Sequence, residues 1–90
     1  MEKFVDDDDG YKHWIRANRD GFVVNCERSL NSNNLVLHRA SCRTITGTPT
    51  RGETWTGPYV KVCAEKRLEL QQWAREEIGG RLVACQICDP

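Results

Sequence analysis

The spacing of apolar residues predicts two helices. Within 9–18, apolar residues recur at i, i+3 and i+4, and the aspartates before them suit a helix N-terminus, where a carboxylate caps free N–H groups. Within 65–78 a second apolar face recurs at helical spacing, and Gly79-Gly80 follows it as a stop signal. The two faces are Tyr11, Trp14 and Ile15, and then Leu70, Trp73, Ala74 and Ile78.

Short segments rich in valine and aromatic residues predict strands. These are 22–27, 35–39 and 59–64, with a brief further strand at 81–84. The Ser- and Asn-rich stretch 29–34 predicts a turn, so 22–39 is expected to form a β-hairpin. Residues 43–58 are rich in threonine, glycine and proline, and we predict a long loop there.

Length and composition limit the classes of protein that are possible. Ninety residues with 39% hydrophobic and 29% charged residues are typical of one globular domain rather than of a disordered chain. No apolar run approaches the roughly 20 residues that a membrane-spanning helix needs. The N-terminus is acidic and lacks the pattern of a secretory signal, so we expect a cytoplasmic protein. We divide the chain into a flexible acidic tail, 1–9, and a single domain, 10–90.

The charges are unevenly distributed although their sum is zero. Residues 1–10 hold five acids and one base, whereas 28–61 hold five bases and one acid. The bases of that stretch are Arg28, Arg39, Arg43, Arg51 and Lys61. Such a basic patch attracts phosphates, although a solvated loop has the same composition, and the acidic tail can fold back over it.

Two short motifs carry metal-binding chemistry. His38 and Cys42 form an H-x3-C unit at the end of a predicted strand, and Cys85 and Cys88 form a C-x2-C unit. Zinc binds four such ligands tetrahedrally, so we predict a Cys3His site with no vacant position. Two alternatives stay open. The cysteines are reduced or disulfide-linked without metal, or one of the remaining two, Cys26 and Cys63, replaces His38 as a ligand.

These observations together predict the fold class. We expect an α+β domain with a small antiparallel sheet of three to four strands and two helices, stapled by one zinc ion. Cys26 and Cys63 lie inside predicted strands and are expected to be core residues.

The motif pattern resembles a known type of zinc module. The hairpin strand ending in His38-x3-Cys42, followed by a helix and a final Cys85-x2-Cys88-Asp-Pro, is similar to the small zinc modules appended to bacterial nucleases, and distantly to the metal-binding domain of the Ada DNA-repair protein. The His-Arg-Ala-Ser-Cys and Trp-Thr-Gly-Pro-Tyr segments also resemble bacterial and phage-type proteins. The resemblance implies a structural zinc site and association with DNA-handling systems. The Ada domain uses four cysteines, one of which accepts a methyl group, so methyl transfer is not carried over to a site that contains His38.

Two functions are consistent with these features. The first is a structural zinc module that supports recognition of nucleic acid, DNA in preference to RNA, through Arg39, Arg43, Arg51, Trp55 and Lys61. In that case Trp55 stacks on an unpaired base, whereas its structural alternative is to cover the small core. The second is a protein-interaction adaptor or an inhibitor of a larger DNA-handling enzyme. We expect no catalysis, because four protein ligands leave zinc no open position for water.

Overall fold

A five-stranded mixed sheet forms the centre of the molecule. The computed structural model describes residues 1–30, 32–46, 55–57 and 59–90. Within them the strands are β1 (Glu2–Phe4), β2 (Phe22–Glu27), β3 (Leu35–Arg39), β4 (Tyr59–Ala64) and β5 (Val83–Ala84). Their order across the sheet is β1-β4-β2-β3-β5. Neighbouring strands are antiparallel except β3 and β5, which are parallel.

Helices lie on both faces of the sheet. They are α1 (Asp8–Ala17), α2 (Arg43–Thr46) and α3 (Arg67–Trp73), and the segment Ala74–Ile78 continues α3 with π-helical hydrogen bonding. The side chain of Asp7 caps α1 by accepting a hydrogen bond from the N–H of Gly10 at 3.0 Å. No helix in the described part of the chain is long and apolar enough to cross a membrane.

The alternation of side chains along the strands produces two hydrophobic cores. In β2, Val23 points to the face that α1 covers, while Val24 points to the face that α3 covers. Both are fully buried. A strand buried on both faces has apolar residues at consecutive positions, as Val23-Val24 in β2 and Val62-Cys63 in β4 show.

The α+β class is confirmed, and the predicted hairpin of β2 and β3 pairs as expected, with Phe22 opposite Arg39 and Cys26 opposite Leu35. The sheet differs from the expectation of three to four antiparallel strands. It has a fifth strand, and β5 joins in parallel because the chain returns through α3 before it pairs with β3.

Residues 1–9, which the sequence predicts to be a flexible acidic tail, contain a strand and the cap of a helix. Glu2–Phe4 forms β1 and pairs with β4, and Phe4 is buried. The aspartates that follow form specific contacts: Asp6 pairs with Arg28, Asp7 caps α1 and Asp8 binds the backbone of 55–56. The acidic run therefore belongs to the domain.

The expectation of a loop throughout 43–58 also needs correction. Residues Arg43–Thr46 form the short helix α2, and Ile45 is 2% exposed in the core under α1. Four residues are too few for a helical period to be visible in the sequence. Much of the remaining stretch lies outside the described residues.

Candidate metal centre

The four residues of the two motifs come together at one end of the sheet. The ligand atoms of His38, Cys42, Cys85 and Cys88 all lie within 4.8 Å of one another. In a tetrahedral zinc site, with sulfur about 2.3 Å from the metal, neighbouring sulfur atoms are about 3.8 Å apart. The observed cluster therefore has nearly the dimensions that one metal ion needs. Three thiols and one imidazole form the donor set that zinc prefers.

The hairpin strand β3 supplies one half of the site. His38 lies near the end of β3 on the face that α1 covers, and it is 8% exposed. Beyond the strand, the N–H of Cys42 donates to the carbonyl of Arg39 at 3.0 Å, which turns the chain tightly. This turn returns Cys42 to the side of His38, immediately before α2 begins.

The segment after β5 supplies the other half. The N–H of Cys85 donates to the carbonyl of Leu37 at 2.9 Å, which continues the pairing of β5 with β3. The N–H of Asp89 donates to the carbonyl of Cys85 at 3.0 Å and closes a turn that carries Cys88. We call Cys85–Asp89 the knuckle. The parallel pairing of β5 thus positions the knuckle against the end of β3.

Arg39 holds the knuckle from the hairpin side. Its backbone N–H donates to the Sγ of Cys88 at 3.3 Å, and its guanidinium donates to the carbonyls of Cys88 and Asp89, each at 3.1 Å. A residue that orients a ligand in this way contributes to metal affinity without touching the metal.

Thr44 connects the two ligands of the hairpin half. Its Oγ1 lies 3.0 Å from the Sγ of Cys42 and 3.3 Å from the Nδ1 of His38. The hydroxyl can accept from one group and donate to the other, which fixes the orientation of both.

Burial and hydrogen bonds change the pKa values of the site. Burial, and then the charge of Lys61, lower the pKa of His38 to about 4, so its imidazole is neutral and able to act as a ligand. Burial alone raises the pKa of the Cys85 thiol, but N–H groups of Cys88 and Ile87 outweigh it and lower that pKa. Burial and the neighbouring thiols raise the pKa of Cys88 to about 11, against the effect of the Arg39 N–H.

The two remaining cysteines are core residues, as predicted. Cys26 and Cys63 are each 0% exposed and lie in the cores on opposite faces of the sheet. Neither belongs to the cluster of ligand atoms, so His38 keeps its place in the site. None of the five cysteines, all of which lie in the described part of the chain, forms a disulfide.

The predicted contact residues do not form one surface. Arg39 and Arg43 are exposed, although the guanidinium of Arg39 is bonded to the knuckle. Arg51 lies outside the described residues. Lys61 is 6% exposed, donates to Oδ1 of Asn25 and lies over the ring of Tyr59. It is therefore an interior lysine, in a strand whose two faces are both covered.

Trp55 belongs to the core rather than to a stacking platform. It is 9% exposed, and its ring centroid lies 6.0 Å from that of Tyr11. The carboxylate of Asp8 accepts hydrogen bonds from the N–H groups of Trp55 and Thr56, which fixes this segment to α1. Trp55 thus takes the core-covering role that the sequence left as its alternative.

Arg28, another base of the predicted basic stretch, is neutralised by a carboxylate. Arg28 forms a bidentate pair with the Asp6 carboxylate, at 2.8 and 2.9 Å, and also donates to the carbonyl of Gly57. Asp6 therefore folds back onto the basic stretch, at this one position.

Sequence reasoning missed the supporting residues of the metal centre. Thr44 follows Cys42 by two positions, and Arg39 follows His38 directly. Their closeness to the ligands in the chain is the signal that indicates a supporting role. The clamp formed by Asp8 gives no such signal, because its partners lie 47 and 48 residues away.

Comparison with known proteins adds no relative: neither the protein-family models, nor the curated proteins, nor the solved structures contain a match to this chain. The resemblance to nuclease-appended zinc modules therefore stays a prediction, and the function is argued from the site itself.

Proposed function

We propose that this chain is a structural zinc module in which one Zn2+ joins the hairpin to the knuckle. The observation that carries the proposal is the convergence of one imidazole and three thiols within 4.8 Å. When bound, the ion would supply a cross-link between the hairpin and the knuckle, in addition to the hydrogen bonds that already join them. Apparent zinc binding in small domains is about 10–16 kcal/mol, which is comparable with the whole stability of a domain of this size.

A structural role is better supported than a catalytic one. Catalytic zinc usually has three protein ligands and one open position for water. Here four ligands surround the centre, and three of them, His38, Cys42 and Cys85, are at least nine-tenths buried. The surrounding hydrogen bonds, from Arg39 and Thr44, fix the ligands rather than prepare a reacting group.

Metal analysis of purified protein tests this proposal. We expect one zinc per chain in the wild type, and a large loss in Cys85→Ser. The matched control is Cys63→Ser, because Cys63 is also buried but lies outside the cluster. Equal zinc content in wild type and Cys85→Ser, or wild-type protein that stays folded and metal-free in chelator, would contradict the proposal.

We further propose that the module supports nucleic-acid recognition, with the exposed Arg39 and Arg43 as contacts. Both arginines adjoin ligands in the chain, so the metal would hold their backbone in place. Arg51 remains a candidate from the sequence alone, whereas Trp55 and Lys61 are too buried to contact phosphate or base in this conformation.

Gel shifts at low salt with zinc-loaded protein test the second proposal. The acidic segment cannot be tested by deleting residues 1–10, because the deletion removes β1 and the cap of α1. We expect salt-sensitive binding of single- or double-stranded DNA that Arg43→Gln weakens and Lys61→Gln leaves unchanged if the protein folds. If the wild-type protein causes no gel shift at low salt, the result contradicts nucleic-acid recognition and favours the protein-interaction adaptor. Two exposed apolar side chains support that hypothesis: Val83 (59%), just before the knuckle, and Ile87 (54%), within it.

A further inference from the structure

A cavity unrelated to the metal centre lies beside the π-helical segment. It has a volume of about 500 Å³ and is lined by Gln71, Arg75, Gly80, Arg81 and Leu82. It shares no residue with the metal cluster. A volume of this size is within the range of roughly 300–1,000 Å³ that is typical of small-ligand sites.

The shape of the cavity results from an unusual local backbone. Ala74–Ile78 is π-helical, a conformation that is rare and is found frequently at functional sites. Gly79 then adopts a left-handed conformation with φ of 73°, which ends the helix and reverses the chain. This reversal places Arg81 at the same cavity as Arg75, which lies one turn before the end of the helical segment.

Gly80 holds this reversal against the hairpin. A Cβ atom at Gly80 would lie 2.7 Å from the carbonyl oxygen of Ser32 and 3.0 Å from a methyl group of Leu35. Only glycine permits so close an approach of the two backbones. The wall that carries Arg81 is therefore fixed in position by packing.

Arg75 and Arg81 form no salt bridge within the described part of the chain. The salt bridge found there joins Arg28 and Asp6. Other arginines are occupied: Arg39 binds the knuckle, and Arg67 binds the carbonyl of Pro90. Glu76 and Glu77 belong to the same helical segment, but they do not line the cavity. Two exposed arginines thus line one concave site.

We propose that this cavity binds a phosphate group. Each guanidinium offers five N–H donors in a planar fork that matches the oxygen geometry of phosphate, and two of them match a doubly charged phosphate better than a carboxylate with one charge. The side-chain amide of Gln71 supplies further donors. The site goes beyond the zinc proposal and does not depend on it. Its ligand is a phosphate that is either free or carried by a nucleic-acid strand.

Chemical-shift titration of the zinc-loaded full chain with inorganic phosphate tests the site. At constant ionic strength, we expect saturable shifts of the Nε–H signals of Arg75 and Arg81 and of the Gln71 amide. Acetate is the matched probe for a carboxylate and should cause much smaller shifts. Equal shifts with acetate, or shifts spread over all arginines, would overturn the proposal.

Substitutions then separate this site from general basic charge. Arg75→Gln and Arg81→Gln should each weaken phosphate binding about tenfold, the effect of losing one charge-assisted contact. Arg16→Gln, in the last turn of α1, removes the same charge elsewhere and should leave binding unchanged. An equal loss in all three variants would overturn the assignment.

Two oligonucleotides of one sequence, with and without a 5′-phosphate, identify the source of the phosphate. If the phosphorylated strand binds more tightly and Arg81→Gln removes this difference, the ligand is a terminal phosphate. If both strands bind equally and Arg81→Gln weakens both, the ligand is the phosphate backbone of the strand. Oligonucleotide binding that Arg81→Gln leaves unchanged, together with no response to inorganic phosphate, contradicts the site. Zinc content measured on every variant shows whether the metal centre is intact, so that its failure is distinguishable from failure of the phosphate site.

Discussion

The backbone N–H of Arg39 donates to the Sγ of Cys88 at 3.3 Å, across 49 residues of chain. The same residue directs its guanidinium at the carbonyls of Cys88 and Asp89. Main chain and side chain of one hairpin residue therefore both hold the knuckle in place for the proposed metal. An arginine that the sequence assigned to a nucleic-acid surface thus has a structural role as well.

Replacement of Arg39 by alanine is expected to weaken zinc binding without abolishing it. The backbone N–H to Cys88 remains, but the two guanidinium bonds to the knuckle are lost. Loss of a supporting contact of this kind typically reduces metal affinity about 10–100-fold, and we expect the lower end because Arg39 is exposed. Competition with a chromophoric chelator measures the change.

Arg43→Ala is the control for that experiment. Arg43 is also exposed and follows the ligand Cys42 directly, whereas the arginine hydrogen bonds to the knuckle found among the described residues come from Arg39. Its removal changes the net charge by the same amount and should leave the affinity within about twofold, since isolated surface charges contribute little. Equal affinities in the two variants would show that the guanidinium bonds of Arg39 do not support the site.

Thr44 provides a second test of the supporting contacts. Thr44→Val keeps the shape of the side chain but removes the hydroxyl that lies near Cys42 and His38. We expect zinc affinity to fall about tenfold, whereas Thr44→Ser, which keeps the hydroxyl, should bind nearly as wild type. Chelator competition on all three proteins measures this. An affinity in Thr44→Val that matches Thr44→Ser would contradict the role of the hydroxyl.

The sequence predicted those features that depend on residues close together in the chain. The hairpin follows from two alternating segments around a Ser- and Asn-rich turn. The chelating pairs follow from the spacing of His38 with Cys42 and of Cys85 with Cys88. We inferred that the two pairs lie close together because zinc binds four ligands and each pair supplies only two.

The features that the sequence did not predict depend on contacts between distant residues. Glu2–Phe4 is too short for a visible alternation, and it becomes a strand only because β4 offers it a free edge. Lys61 looks like a surface residue because it is charged, but elements from elsewhere in the chain bury it. For Trp55 the sequence left both stacking and core covering open, and only the folded chain distinguishes them. Local charge does not reveal burial, so the predicted basic surface was too large.

Asp8 is expected to be the most important of the N-terminal acids for stability. Its carboxylate accepts hydrogen bonds from the N–H groups of Trp55 and Thr56 and from the Thr56 hydroxyl. We expect Asp8→Asn to lower the free energy of unfolding by about 2 kcal/mol, the usual effect of losing hydrogen bonds to a charged group. Denaturant unfolding at neutral pH measures it.

Asp9→Asn is the matched control, because Asp9 is the next residue of the same helical turn and is exposed. It should change stability by less than about 0.5 kcal/mol. The pH adds a second check. Burial opposes ionisation of Asp8, but its hydrogen bonds outweigh burial and lower its pKa below 3.8. The contribution of Asp8 to the free energy of unfolding is therefore complete above pH 3.8 and is lost as the pH falls through the lowered pKa. Equal stability of the two variants would contradict the clamp.

Lys61 is expected to make stability depend on pH in the alkaline range. Burial lowers its pKa from 10.5 to about 8, so between these values the unfolded chain binds more protons than the folded one. The contribution of Lys61 to the free energy of unfolding therefore rises with pH across this window, by up to about 3 kcal/mol. Lys61→Met keeps an unbranched apolar stem, one atom shorter than that of lysine, and removes the titrating group.

The measurement is the difference in unfolding free energy between wild type and Lys61→Met, taken for zinc-loaded protein from pH 7 to pH 10.5. Loss of the bond to Asn25 in the variant adds an offset that does not depend on pH. The raised pKa values of Cys26 and Cys63 act in the opposite direction, but both proteins share these thiols, so their effect cancels. A difference that favours wild type increasingly as pH rises is the expected result. A difference that stays flat would mean that Lys61 has an ordinary pKa and reaches solvent in the folded protein.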